Sequence, residues 1–322
     1  MSLLSLLARD RSGEGLTGIG FHDDGISLAR VQRDKASHVL LDVCEFAPLE
    51  AGEDHGTLLD DLISKHSMKK CSCVCVMSPD TYSLLQVEAP DVQPAELRAA
   101  VRWRIKDIID FHIDDAVIDV FDIPGQSGRG GAKVMYVVAA RASEIQRQVD
   151  LLNDAGLAIQ AIDINELSLR NVVARMPQDV DGVALISFTR TSGLISLLHQ
   201  GALYLTRSIP IGSDMLRQAY ASSQQGSTSL TDLFDRIVLE VQRSLDYYDS
   251  HFSSPPMKHI VIAPMEQEIS GMTAYLSEEF PLPLTVMDFA EFMDCTDIIP
   301  PAVQARCCAT VGAALRQEDR AL

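Results

Sequence analysis

The sequence has no apolar run near the roughly 18 residues that a membrane-spanning helix requires. No positive charge precedes its N-terminal leucines, and Leu3–Ala8, LLSLLA, is too short for the core of a secretory signal. The expectation is a soluble chain that stays in the cytoplasm, with those leucines open to a transient membrane or partner contact. Cations are scarce: 27 Lys and Arg stand against 45 Asp and Glu, for a formal net charge of −18. Nucleic acid and anionic lipid both reward clustered Lys and Arg, so direct binding to either is disfavoured and a basic partner segment is favoured.

An even cysteine set is also missing. Seven cysteines argue for a reducing compartment rather than a disulfide framework. Cys71, Cys73 and Cys75 alternate, so on a strand all three point to one face. No second CxxC or Cys–His pair completes a tetrahedral metal set beside them, and they read as a buried strand of small apolar side chains. Cys307 and Cys308, neighbours on a predicted helix, read as packing. No Ser–His–Asp or Cys–His constellation stands at a recognisable spacing, which argues against a hydrolase.

What the sequence does contain is a repeat. Leu185–Leu198, LISFTRTSGLISLL, lies over Gly18–Val31, GIGFHDDGISLARV, with Ile186 over Ile19, Ser187 over Gly20 and Phe188 over Phe21. Each copy runs apolar, turns through small polar residues with a glycine, and runs apolar again, the pattern of a strand hairpin. At 322 residues, with about 150 residues per domain as a guide, the chain is expected to form two similar lobes facing one cleft.

Backbone N–H groups in such turns can cradle phosphate oxygens, so a hairpin from each lobe could grip a nucleotide. The first turn offers Phe21, His22, Asp23 and Asp24, whose two carboxylates would repel a triphosphate unless a metal intervened. The second offers Thr189, Arg190, Thr191 and Ser192, which could hold an anion. A purely structural hairpin pair is the competing reading.

Along the chain, Ser37–Phe46 reads as a third strand, Leu58–His66 as a helix and Cys71–Met77 as a buried strand. Residues from about 78 to 140 read as an inserted subdomain: strand Tyr82–Glu88, helix Ala95–Ile109 with the sole tryptophan, Trp103, and strands Ala116–Ile123 and Val134–Ala140. Gly125–Gly131, GQSGRGG, links two strands instead of opening a helix, so it reads as a hairpin tip rather than a phosphate loop. Helix Ser143–Ala155 ends at Gly156; strand Leu157–Asp163 and helix Ile164–Arg175 follow. In the second half, Ala184–Ile211 forms a three-strand meander, Gly212–Ala221 starts helically, and Ser222–Ser229 is a polar linker. Thr231–Phe252 is a long helix whose Glu240 and Arg243 form either a solvated face or a ligand contact. Strand Met257–Pro264, helix Met272–Glu279, strand Leu284–Met287 and helix Val303–Arg316 complete the chain. The small residues Ala305, Ala309, Gly312, Ala313 and Ala314 would let that last helix pack closely on the first lobe.

Taken together, the two hairpins, Val101–Pro124, Leu151–Ile164, Thr206–Gly212 and Val241–Tyr248 resemble the PilM family, the actin-like cytoplasmic proteins of type IV pilus assembly. Within it they are similar to the MshI type of the mannose-sensitive haemagglutinin (MSHA) pilus. The resemblance spans nearly the whole chain and rests on the shared order of short motifs. It implies an α/β, actin-like two-lobed fold of the actin/hexokinase/Hsp70 type. Residues 1–163 would form the first lobe with the inserted subdomain, and 164–322 the second, with helix 303–316 packing back on the first. It also implies a scaffold that grips the cytoplasmic tail of a PilN-like, MshJ-type inner-membrane protein between the first lobe and the inserted subdomain, near Trp103, Ile109 and Phe111. Those three residues as core is the other reading. Contact with the pilus assembly ATPase and homo-oligomerisation are further implications.

Against the family's GIDIGSSSVK-like opening, this chain has Gly20 at the Asp, His22 at a Gly and Ser27 at the Lys. The Asp-x-Gly of the second hairpin has become Ser187-Phe188-Thr189, and the successive glycines of the adenosine loop are Ala263-Pro264-Met265-Glu266. Proline lacks the N–H, and side chains obstruct backbone approach. A degenerate nucleotide pocket would draw on Phe21, His22, Asp23, Thr189, Arg190, Thr191, Glu240, Arg243, Ala263 and Pro264. The expectation is a non-catalytic scaffold without metal or cofactor, since a metal and a positioned water have no evident ligands. Two alternatives stand beside it. One is an Mg-ATP-binding switch, kept open by Arg190 and its hydroxyl neighbours. The other is the cytoplasmic actin-like component of type II secretion, which normally continues into a membrane span that this sequence lacks before Leu322.

Overall fold

The computed structural model describes residues 15–33, 38–126, 133–222 and 229–317. The leucine run 3–8, the tip 127–131 of the glycine-rich loop and most of the polar linker, 223–228, lie outside the described residues.

The repeat seen in the sequence is a repeat of topology. Strands β1 (Leu16–His22), β2 (Gly25–Arg33) and β3 (Val39–Pro48) form an antiparallel meander. Helix α1 (His55–Lys65), capped by Asp54, which accepts from the Thr57 N–H at 2.9 Å, then returns the chain to β4 (Ser72–Val76), parallel to β1. With β8 (Ala158–Asp163) and the short β14 (Asp294–Cys295) the first sheet runs β14-β3-β2-β1-β4-β8. The second lobe repeats this with β9 (Val183–Phe188), β10 (Gly193–His199), β11 (Ala202–Ile209), β12 (His259–Ile262) and β13 (Leu284–Val286), in the order β11-β10-β9-β12-β13. The two-residue β14 has no counterpart in the sequence reading.

Strand β4 is buried on both faces, which is why it reads as an unbroken apolar run. Cys73 and Cys75 pack with Leu59, Leu62 and Leu152 on one side, while Val74 and Val76 meet Ala313 on the other. Burial pushes the Cys73 thiol pKa up to about 12, so this cysteine behaves as a small hydrophobe.

The inserted subdomain consists of β5 (Tyr82–Glu88), α2 (Pro94–Ile105), β6 (Ala116–Asp122) and β7 (Val134–Arg141), with strand order β5-β7-β6. One sheet face presents Met135, Val137 and Ala139 to Val101 and Ile105 of α2. Alternate residues send Phe121 and Tyr136 the other way, into the core of the second lobe. There the Tyr136 hydroxyl accepts from the Thr206 N–H of β11 at 2.9 Å and from Gln86 at 2.8 Å. The subdomain expected inside the first lobe is inserted there in sequence but built onto the second lobe in space. The cause is its second apolar face, which needs a partner. Helix α3 (Ala142–Asp154) returns the chain to the first lobe, where Leu152 joins the α1 core, and Gly156, at φ +75°, ends it.

The lobes exchange their last helices. Helix α4 (Asn165–Val173) follows β8, yet Leu169, Val172 and Val173 pack with Leu185 and Leu197 of the second sheet. Helix α8 (Pro301–Ala314) ends the second half and lies across the first sheet. The close packing expected of its small residues occurs at one crossing with two neighbours. A Cβ on Gly312 would stand 1.8 Å from the Ser168 carbonyl oxygen of α4, and one on Gly18 would stand 1.8 Å from that of Thr310. Helices α5 (Ser213–Ser222), α6 (Leu230–His251) and α7 (Met272–Glu279) cover the second sheet; a capping box between Ser229 and Asp232 starts α6.

Candidate functional site

The first hairpin turn is organised by an absence at residue 20. A Cβ there would stand 2.7 Å from Ser27 Oγ and 3.4 Å from His22 Nε2. Without it, His22 folds over the strand and its Nε2 lies 2.8 Å from Ser27 Oγ. The His22 carbonyl accepts from His55 Nε2 at 2.8 Å, and Phe21 is buried edge-on to the His55 ring. Burial, then the nearby Arg306 charge, pushes the His22 pKa down to about 4, so the imidazole is neutral at pH 7. Asp23 is exposed. Asp24 pairs with Arg306 of α8. Partial burial works against its ionisation, but the hydrogen bond and charge of Arg306 outweigh this and hold the carboxyl below its ordinary range.

Arg306 also reaches the other lobe. Its Nη1 lies 3.2 Å from Glu266 Oε1 in the segment after β12, and its guanidinium stacks 3.8 Å above the Phe46 ring of β3. Sequence reading missed Arg306, since nothing in a helical pattern of small residues says which cation faces the cleft. Glu266 and Asp24 were in view only as obstacles to phosphate.

The second hairpin turn is closed on itself and on α5. The Thr189 N–H donates to Ser192 O at 2.8 Å, and the Ser192 N–H donates to Thr189 Oγ1 at 3.0 Å. Its carbonyls take up α5: Ser213 N–H donates to Thr189 O at 2.9 Å and Asp214 N–H to Arg190 O at 3.1 Å. Arg190 and Thr191 are exposed, and the Arg190 guanidinium lies 3.4 Å from Asp214. The Ala263 N–H is committed to Ile186 O at 2.8 Å, and Pro264 is buried without an N–H to offer. Glu240 and Arg243 are joined to β11 rather than to either turn. Glu240 lies 2.7 Å from Arg243 and 3.4 Å from Arg207, so the pair is an ion-paired helix flank.

These donors do not fit a metal-bound triphosphate. Amides at 189, 192 and 263 are already used within the protein, and the Asp24 carboxylate faces a guanidinium. Among the described residues, no group of three His, Cys, Asp or Glu side chains is placed to hold a metal ion.

The expected docking trio divides. Trp103 is 73% exposed, with Lys106 Nζ 5.2 Å from its ring centre, and Ile108, which helical spacing places on the apolar face with Leu97, Val101 and Ile105, is 59% exposed. Ile109 is buried with Val101 and Ile105, so its side chain is subdomain core and not surface. Phe111 is half-buried, with the Arg141 guanidinium 4.5 Å above its ring. The helical spacing assigns Ile108 and Ile109 the wrong way round, because α2 ends at Ile105 and the periodicity ends with it.

The family model for type IV pilus assembly protein PilM matches residues 64–228. This chain belongs to the PilM family. Among solved structures, that of the PilM–PilN type IV pilus biogenesis complex is similar, with a TM-score of 0.71 over 94% of this chain and 98% of that one, at 16% identity. A Bacteroides thetaiotaomicron protein with an actin-like ATPase fold gives 0.50 over 89% and 95%, at 8% identity. The cytoplasmic domain of EpsL, an inner-membrane component of the Vibrio cholerae type II secretion system, gives 0.47 over 92% and 94%, at 10% identity. No curated protein matches the chain. The fold is actin-like, and among the described residues no helix is long and apolar enough to cross a membrane.

Proposed function

We propose that this PilM-family protein is a non-catalytic, cytoplasmic scaffold of MSHA-type pilus biogenesis that holds the tail of a PilN-like, MshJ-type inner-membrane protein. The observation that carries the non-catalytic part is the cleft: a guanidinium bridges the two loops where phosphate and adenosine would lie, and the amides of Thr189, Ser192 and Ala263 are spent internally. Kinship to a PilM solved with PilN supports the partner, and the net charge of −18 favours a basic tail. Membrane association then runs through the partner. Contact with the pilus assembly ATPase and self-association belong to the same reading.

Thermal unfolding with and without millimolar Mg-ATP tests the cleft. A ligand at a hundred times its Kd adds about 2.7 kcal/mol, several degrees for a chain this size. The expected shift is nil; a shift that Arg190→Ala abolishes would establish an ATP switch instead. For the partner, the sole tryptophan is exposed, so its emission reports docking directly. Titration with an MshJ-type tail peptide should shift that emission to the blue, and an unchanged spectrum with no binding by calorimetry would remove the partner assignment.

A further inference from the structure

Arg306 sits near the start of α8, the helix that belongs to the second half by sequence and to the first lobe by packing. Its side chain is only 11% exposed. One terminal nitrogen goes to Asp24 in the β1–β2 turn, and the other goes to Glu266, 3.2 Å away, in the segment that follows β12. Phe46 of β3 supports the face of the guanidinium from below at 3.8 Å. The planar fork therefore has a carboxylate from each lobe at its two tips and an aromatic floor that fixes its plane.

A buried guanidinium held this way is an electrostatic tie. Separating the lobes leaves at least one carboxylate without its partner and moves the cation from a stacked, low-dielectric position into water. The two loops it joins are the ones whose phosphate and adenosine motifs are altered, and the alterations serve the tie. Gly20 and Ser27 let His22 fold over the strand, edge-on to the same Phe46 ring, and the turn carboxylate that would repel a triphosphate is the residue that holds Arg306. Arg306 also helps keep His22 uncharged, which spares the clasp a second cation.

We propose that Arg306 is a built-in clasp, joining Asp24 to Glu266 and holding the two lobes closed in place of a bound nucleotide. The inference rests on the reading that the cleft takes no nucleotide. Opening then depends on a competing anion or on whatever binds the lobes differently when apart, and not on hydrolysis.

Hydrogen-exchange mass spectrometry on the full chain tests this. Arg306→Met keeps an unbranched, flexible stem but removes the guanidinium, and with it the charge, the stacking on Phe46 and both carboxylate contacts. The expected result is at least tenfold faster amide exchange in segments 22–26 and 263–268, with β4 and β9 unchanged. Unchanged exchange in both segments would overturn the clasp. Should Arg306→Met loosen β4 and β9 as well, Glu266→Gln decides, because Glu266 is half-exposed and outside the core. Faster exchange at 22–26 in that variant supports a tie across the cleft, and its absence refutes one. A molar addition of NaCl should loosen the same segments in the natural protein and not in Arg306→Met, since screening acts only where the charge pairs exist. A parallel run with Mg-ATP separates the two ideas: protection of these segments in the natural protein would refute the nucleotide-free reading, whatever the variants do without ATP.

Discussion

The Tyr82 hydroxyl donates to Glu166 Oε2 across 2.5 Å and accepts from the Asn165 N–H at 3.2 Å. One side chain at the entry to the inserted subdomain thus fixes the start of α4. Burial raises the Glu166 pKa, and the tyrosine hydrogen bond opposes the rise. Tyr82→Phe is expected to cost about 1–3 kcal/mol by leaving a buried carboxylate without its donor. Without Tyr82 the folded Glu166 pKa climbs further above its unfolded value, so the contribution present at low pH is lost as pH rises. The deficit should widen above the ordinary carboxylate range. Urea unfolding of both proteins at acidic and neutral pH measures it.

His22 acts with the opposite sign. Its folded pKa of about 4 lies below the ordinary 6.5, so between those values the unfolded chain binds more protons. Stability therefore rises with pH across that window, by up to about 3 kcal/mol at 1.36 kcal/mol per unit. Buried Asp163 and Glu166, both raised by burial, pull the other way, so the raw profile mixes signs. The difference between the natural protein and His22→Gln, from urea midpoints at pH 4.5 and 7, isolates the histidine. A flat difference would contradict its burial.

At the helix crossing, Gly312→Ala and Gly18→Ala each push a Cβ into a backbone carbonyl that cannot rotate away. Each should cost about 3 kcal/mol or more, at the upper end of overpacking effects. Gly156→Ala meets nothing within 4 Å and suffers only from its φ of +75°, so it should cost about 1 kcal/mol. Thermal denaturation of the three variants ranks them.

Trp103→Ala and Ile109→Ala separate surface from core. The first should change stability by less than about 0.5 kcal/mol while weakening tail binding. The second should cost about 2–4 kcal/mol as a cavity in the subdomain core. Chemical denaturation beside a binding titration distinguishes them.

Much of the fold was legible in the residues. Hairpin periodicity and the alignment of Ile186 with Ile19 foretold two lobes of one topology, and Gly156 marked the end of α3 through its backbone conformation. The two-residue β14 could not be read, because two residues carry no period. That the subdomain rests on the second lobe was hidden for another reason: Tyr136 and Phe121 look like any apolar residues on a half-buried strand, and only the three-dimensional arrangement says which lobe covers them. At the candidate site, the altered turn at Gly20, His22 and Ser27 was visible, and Pro264 with it. Arg306 was invisible, since Asp24, Glu266 and Phe46 meet it from three distant stretches of chain.

The exchange of α4 and α8 makes each half of the sequence incomplete in a specific way. A chain severed after Asp181 leaves the first sheet without the helix that covers Val74 and Val76, and leaves the second sheet without Leu169 and Val172 of α4. Two such fragments are reciprocal prostheses: each carries the part that the other lacks. Co-expressed, they should reassemble as a split protein, and a dimeriser fused to the new ends would make pilus assembly answer to an added small molecule.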